Sequence, residues 1–249
     1  MTATSGGASA RRCRRGSGFN KHARRHHMTH QPNHNSQLWL TFMSIIGVLN
    51  LIAILYICFT VGMTEMSLCG LLYISSTTFR SLLIQNVTKR TTLRTCSPFS
   101  TAFNDRFIAT IGELSFTYQL VVYFDMPFAM WHMIVVAQIV CWIAVLTGYP
   151  ILHAIENSLW GVLSCSVFFH TEEIIIQTAC TLFCAYILFG DIPMYLRKKN
   201  IPKSVVVSLK EITSISVVDE SWEFWKGECL WMTGYFTFGA WGSMLLSTK

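Results

Sequence analysis

The stretch RFIATIGELSFTYQL, Arg106–Leu120, combines an apolar run typical of a membrane span with a carboxylate at Glu113. Helical spacing places Arg106 and Glu113 on one polar face and Gln119 on a second face, roughly opposite. A helix that is polar on two sides cannot turn either of them to lipid. The stretch therefore predicts a central helix within a bundle of membrane-spanning helices.

Composition supports a membrane protein. The chain of 249 residues is 52% hydrophobic and only 13% charged, whereas a soluble domain carries about a quarter charged residues. The nine cysteines show no close pair of the kind used by zinc knuckles or redox motifs, so they are read as small apolar side chains at packed positions. We therefore expect a lipid bilayer around the chain and no disulfide framework.

Six apolar runs have about the 20 residues that a transmembrane helix needs, and a seventh, Met66–Gln85, is less apolar and contains Arg80. Pro127 and Pro150 separate runs that would otherwise be continuous, because proline favours a turn and a new helix. The predicted spans are Leu38–Met63, Met66–Gln85, Phe107–Phe124, Phe128–Thr147, Ile151–Phe169, Ile174–Tyr195 and Glu228–Leu246.

The distribution of basic residues sets the predicted topology. If the second run spans the membrane despite Arg80, and the N-terminus is inside, nearly all loop lysines and arginines fall on the inner side. The prediction is an all-α fold, a polytopic bundle of about seven spans over residues 38–249, with an inside N-terminus and an outside C-terminus. One longer inner loop, residues 196–227, is expected to lie on the membrane surface or to form a short hairpin.

Residues 1–37 form a polar, basic N-terminal tail that we expect to be disordered. Its arginines favour contact with anionic lipid heads, and no nucleic-acid partner is expected. A mitochondrial presequence is an alternative, which would place the protein in the mitochondrial inner membrane. A third alternative is a metal-binding tract formed by His26, His27, His30 and His34.

Three charged residues lie at matched depth inside predicted spans, five or six residues from the inner ends. Isolated burial of such a charge costs on the order of 3 kcal/mol or more, so each needs a partner. We therefore predict an intramembrane cluster of Arg80, Glu113 and Glu156, with His153 and Asp191 at its edge.

The cluster admits three interpretations: an ion-pair network that fixes the helices, a polar path open to the inner side, or a metal or catalytic site. A di-metal carboxylate site requires two pairs of metal ligands at helical spacing such as His153 and Glu156, and the sequence has one such pair. No nucleophile elbow, P-loop or Gly-rich nucleotide turn is present. No catalytic residue or metal site is therefore assigned, and the cofactor is left undetermined.

Five phrases point to a family: FRSLL, RFIATIGELSFTYQL, IENSLW, GDIPMY and WMTGYFTFGAWGS, between Phe79 and Ser243. Together they resemble an uncharacterised family of polytopic membrane proteins from protists, algae and bacteria. This family has no assigned activity, so the resemblance implies a membrane bundle and no particular reaction.

Three functions remain open at this point. The first is a non-enzymatic integral membrane protein that acts as a structural or accessory subunit of a membrane complex. The second is a small carrier or channel-like protein that uses the charged cluster as a gate. The third is a lipid-modifying membrane enzyme with the acids and His153 as acid–base groups.

Overall fold

The computed structural model describes residues 34–87, 89–93, 98–199 and 204–248, and these are mostly helical. Three helices end in or contain a wider π-helical turn, at Ile57–Val61, Ile187–Asp191 and Tyr235–Gly239. The helices are α1 (His34–Val61), α2 (Glu65–Leu82), α3 (Ala102–Tyr123), α4 (Ala129–Thr147), α5 (Pro150–His170), α6 (Ile174–Arg197), α7 (Val205–Ile212) and α8 (residues 222–247).

Local sequence explains where several helices begin and end. Thr64 caps α2, because its hydroxyl accepts a hydrogen bond from the Ser67 amide at 3.1 Å and the Ser67 hydroxyl accepts one from the Thr64 amide at 2.7 Å. Gly148 ends α4 with φ of 74°, a left-handed conformation that glycine adopts readily. Pro150 then occupies the first turn of α5, where its missing N–H costs nothing. The turns predicted at the two prolines are confirmed.

Four helices, α1, α4, α5 and α6, are long and apolar enough to cross a membrane. They turn large apolar side chains outwards: Phe59 of α1 is 84% exposed and Phe189 of α6 is 83% exposed. Such surfaces are stable against lipid and costly against water. The structure therefore confirms the prediction of a helical bundle that contains helices able to span a membrane.

The more polar helices α2, α3 and α8 pack against one another. Gln119 of α3 is fully buried, and its amide nitrogen donates to the Met66 carbonyl at 2.9 Å and to the Ser247 hydroxyl at 3.0 Å. Close packing requires small residues here, because a Cβ added to Gly112 would lie 2.6 Å from the Cβ of Ser76. The second polar face of α3 thus meets α2 and α8 rather than lipid.

The fold is mostly helical, as predicted, with the addition of a small three-stranded sheet in the connectors at one end of the bundle. Strands β1 (Gln85–Asn86) and β2 (Thr91–Thr92) are antiparallel, and β3 (Val217–Val218) runs parallel to β2. The predicted inner loop therefore contains α7 and β3, and α8 begins at Trp222, six residues before the predicted span. We call this the loop end of the bundle, the end at which α2 and α6 finish and α3 and α8 begin.

The start of the bundle also differs from the prediction. Helix α1 begins at His34, so the last four residues assigned to the tail are helical. The Ser36 hydroxyl donates a hydrogen bond to the Glu220 carbonyl at 2.6 Å, and the Trp39 indole donates to Thr233 at 3.1 Å. These contacts hold the first turns of α1 against α8. Residues 1–33, the rest of the predicted tail, lie outside the described residues, and with them the predictions of a presequence and of lipid contacts; of the predicted histidine tract only His34 is described, and it is helical.

Candidate functional site

Six ionisable side chains gather inside the bundle near the loop end, and we call them the charge cluster. Three helices supply the six side chains, and α4 and α8 supply neutral side chains that contact them. The cluster consists of Arg80 from α2, Asp105, Arg106 and Glu113 from α3, and His153 and Glu156 from α5. These side chains keep between 3% and 12% of their surface exposed.

Arg80 joins the last turn of α2 to the first turn of α3. Its Nε donates a hydrogen bond to Asp105 Oδ1 at 3.0 Å, and its Nη1 lies 3.9 Å from Glu113 Oε1. The guanidinium also stands over the rings of Tyr235 and Phe236 of α8, 5.3 and 5.4 Å from their centroids. One arginine therefore fixes three helices through charge and cation–π contacts.

Arg106 joins α3 to α5. It lies seven residues before Glu113, two helical turns along the same face, and its Nη2 is 3.1 Å from Glu113 Oε2. The same nitrogen is 3.7 Å from Glu156 Oε1 on α5. Two carboxylates on different helices thus share one buried cation, which reduces their mutual repulsion.

Neutral side chains complete the hydrogen bonds of Glu113. The amide of Gln138, on α4, donates to Glu113 Oε2 at 2.8 Å and accepts a hydrogen bond from Arg106. The Tyr235 hydroxyl, in the π-helical turn of α8, donates to Glu113 Oε1 at 3.3 Å. Turns of this kind are frequent at functional sites, and here the turn places an aromatic donor beside a buried carboxylate.

His153 and Glu156 lie at the far side of the cluster, one turn apart on α5. His153 Nδ1 is 3.0 Å from Glu156 Oε2 and 3.9 Å from the Sγ of Cys141 on α4. Asp191 of α6 stands further out, where it accepts a hydrogen bond from Asn157 at 3.2 Å. The five residues predicted from the sequence thus occupy one region, with Asp191 at its margin.

The cluster has more negative than positive groups. Arg80 and Arg106 provide two positive charges, while Asp105, Glu113 and Glu156 provide three negative ones, before any proton on His153. Three of its buried atoms have no hydrogen-bond partner within the described residues, namely Arg80 Nη1, Asp105 Oδ2 and Arg106 Nε. Buried polar atoms normally have hydrogen-bond partners, so these three atoms can bind a water molecule or an ion.

The structure pairs the charges differently from the sequence prediction. Arg80, the only cation among the core residues of the predicted cluster, has Asp105 as its closest carboxylate, and Glu156 is near Arg106 instead. Arg106 lies outside the predicted cluster because the predicted span begins at Phe107. Its i, i+7 relation to Glu113 is the signal that identifies it as a partner.

A comparison with known proteins finds no matching family model, curated protein or solved structure. The family resemblance described above therefore remains a prediction, and the site is interpreted from its own chemistry.

Proposed function

We propose that the chain is a non-enzymatic, multi-pass membrane protein that serves as a structural or accessory subunit of a membrane complex. It has seven spans, formed by α1–α6 and α8, with the N-terminus inside and the C-terminus outside. The single observation that carries the proposal is the charge cluster, because it joins α2, α3 and α5 through buried ion pairs and α8 through a hydrogen bond and cation–π contacts. A network of this kind favours one fixed arrangement of helices over a mobile one.

The orientation is supported by charge. The loop end carries Arg90, Lys198, Lys199 and Lys210, while the opposite connectors carry Glu65, Asp125, Glu172 and Glu173. This is the distribution of a positive inner side. The charge cluster then lies in the inner half of the membrane, and the small sheet lies in the connectors on the inner side.

The role as a subunit is supported by α6. Its first segment, Ile174–Tyr186, has no buried residue among those described, although it carries Gln177, Thr178 and Thr181 beside its apolar side chains. Polar side chains at helix surfaces in membranes are common in contacts between helices. A partner helix on this face would remove them from lipid.

Purification in a mild detergent tests the role directly. The native protein should co-purify with one or more membrane subunits in fixed ratio, detected by native mass spectrometry. Paired changes of Thr178 and Thr181 to Leu should weaken this association, whereas paired changes of Ile175 and Leu182 to Val on the same helix should leave it intact. A monodisperse monomer from native membranes would overturn the proposal.

A small carrier or channel-like protein is the second candidate. It is favoured by the excess of acid in the cluster and by the three buried atoms that lack hydrogen-bond partners in the described part of the chain. Ion or proton flux through reconstituted vesicles should then fall in Glu113→Gln and in Glu156→Gln. Wild-type flux that is unchanged in both variants would eliminate this candidate.

A further inference from the structure

Cys141, His153 and Glu156 bring three different ligand types together between α4 and α5. One potential ligand atom from each residue lies within 4.8 Å of the other two. The Sγ of Cys141 is 3.9 Å from His153 Nδ1, which is itself 3.0 Å from Glu156 Oε2. Cys141 and Glu156 are buried, and His153 keeps 12% of its side-chain surface exposed.

These separations are close to those of a tetrahedral metal site. With Zn–S near 2.3 Å and Zn–N and Zn–O near 2.0–2.1 Å, ligand atoms in a tetrahedron stand roughly 3.3–3.6 Å apart. The sulfur–nitrogen distance must shorten slightly and the nitrogen–oxygen distance must lengthen slightly to admit an ion. Both changes are of the size that side-chain rotation supplies.

We propose that Cys141, His153 and Glu156 bind one divalent transition-metal cation, with Zn²⁺ the best match. A thiolate, an imidazole and a carboxylate form a mixed set that suits zinc, whereas magnesium and calcium prefer oxygen ligands alone. Three protein ligands leave a fourth position for water. The Cys141 thiol loses its proton to solvent when the metal binds.

The electrostatics of the surrounding cluster support the site. The two arginines leave one carboxylate charge uncompensated, as described above. A divalent ion bound together with a thiolate adds one net positive charge, so the metal-bound cluster is neutral. Neutrality matters in this position because an uncompensated charge within a membrane is costly.

Residues outside the proposed metal site already orient two of the ligands, Glu156 and His153. Arg106 Nη2 is 3.7 Å from Glu156 Oε1, which leaves Oε2 directed towards His153. The His153 ring packs against the ring of Tyr195 on α6, with centroids 5.0 Å apart. Metal ligands commonly have such second contacts, which fix their orientation.

Metal content of the full chain in detergent provides the test. The protein is purified through a tag without histidine, and zinc per chain is measured by mass spectrometry after dialysis against buffer with a weak chelator. The stripped protein is then titrated with Zn²⁺, and with Co²⁺ as a spectroscopic probe. We expect one Zn²⁺ per chain and a thiolate-to-cobalt charge-transfer band.

Variants assign the ligands. Cys141→Ser should abolish the cobalt band, and Glu156→Gln should weaken zinc binding by more than the roughly 10–100-fold typical of an outer contact. Cys184→Ser is the matched control, because its Sγ lies 3.5 Å from Cys165 instead of in this site. A second control replaces His26, His27 and His30 together with Ala.

Folding is monitored separately by gel filtration and circular dichroism, so that a lost site is distinguished from a lost fold. If Cys141→Ser does not fold, the cobalt band of the stripped wild-type protein decides the question. A folded wild-type chain that binds neither Zn²⁺ nor Co²⁺ would overturn the proposal. So would a cobalt band that disappears in the triple histidine variant or in Cys184→Ser and persists in Cys141→Ser.

Discussion

Arg80 Nε lies 3.0 Å from Asp105 Oδ1, and this ion pair joins the last turn of α2 to the first turn of α3 across the loop end. Glu113 is a more distant partner, 3.9 Å from Arg80 Nη1. The pair is almost fully buried, with 8% and 3% of the two side chains exposed. Measurements of unfolding free energy should therefore show a stronger coupling of Arg80 to Asp105 than to Glu113.

Removal of Arg80 should destabilise the protein through Asp105 more than through Glu113. Arg80→Leu should cost about 3–5 kcal/mol in unfolding free energy, because it leaves buried carboxylates without their cation. Adding Asp105→Asn should recover more of that loss than adding Glu113→Gln, since Asp105 is the closer partner. Denaturant unfolding in detergent, followed by tryptophan fluorescence, gives both coupling energies.

An exposed ion pair provides the control for this cycle. Lys226 and Glu223 form an i, i+3 pair on α8, with 54% and 79% of their side chains exposed. Lys226→Leu should change stability by no more than about 1 kcal/mol. If Arg80→Leu and Asp105→Asn are additive within about 0.5 kcal/mol, the two residues are not energetic partners.

Replacing Arg106 should test whether one cation serves two helices. Arg106→Gln leaves both Glu113 and Glu156 without their shared arginine, so we expect a loss of about 3–5 kcal/mol. Arg106→Lys should retain part of the stability, because an ammonium keeps the charge but lacks the planar fork of donors. Thermal unfolding in detergent compares the three proteins, and equal stability of all three would contradict this assignment.

The contact between α2 and α3 should be sensitive to a single methyl group. Gly112→Ala places a Cβ against Ser76, so we expect a cost of about 1–3 kcal/mol from overpacking. Gly242→Ala on α8 is the matched control, because a Cβ there meets nothing within 4 Å. It should be neutral or stabilising by up to about 1 kcal/mol, since alanine favours helix. Similar losses in both variants would mean that this contact is not close-packed.

Asn86 belongs to an Asn-Val-Thr sequon and should remain without a glycan. Its amide donates a hydrogen bond to Glu228 Oε1 at 2.7 Å, and the residue lies at the loop end, on the inner side in the proposed orientation. Expression in a glycosylating cell line, followed by glycosidase digestion, checks this. A C-terminal extension that carries a sequon should be modified and is the positive control. A sugar on Asn86 would reverse the proposed orientation.

Helical periodicity predicted the elements well because it depends on local sequence. Pro127 and Pro150 marked the turns, and the polar faces of α3 identified it as an interior helix. The same reasoning grouped Arg80, Glu113 and Glu156 by depth. Depth along separate helices does not specify which side chains face each other, because rotation and packing of the helices determine the pairs.

Two features lay beyond this reasoning for different reasons. Asp105 and Arg106 precede the predicted span, and the long arginine side chain reaches inwards from a position that appeared to belong to a loop. The strands at the loop end contain two residues each, too few to show an alternating pattern. The pairing of β2 with β3 also joins residues more than a hundred positions apart, which local sequence does not encode.

The parallel pairing of β2 with β3 has a consequence for biogenesis. Thr91 pairs with Val217, so one edge of β2 has no strand beside it until helices α3–α7 have been synthesised. An unpaired edge is a template for wrong association. A nascent chain arrested before Val217 would therefore leave this edge of β2 unpaired, and the sheet is complete before α8 is synthesised.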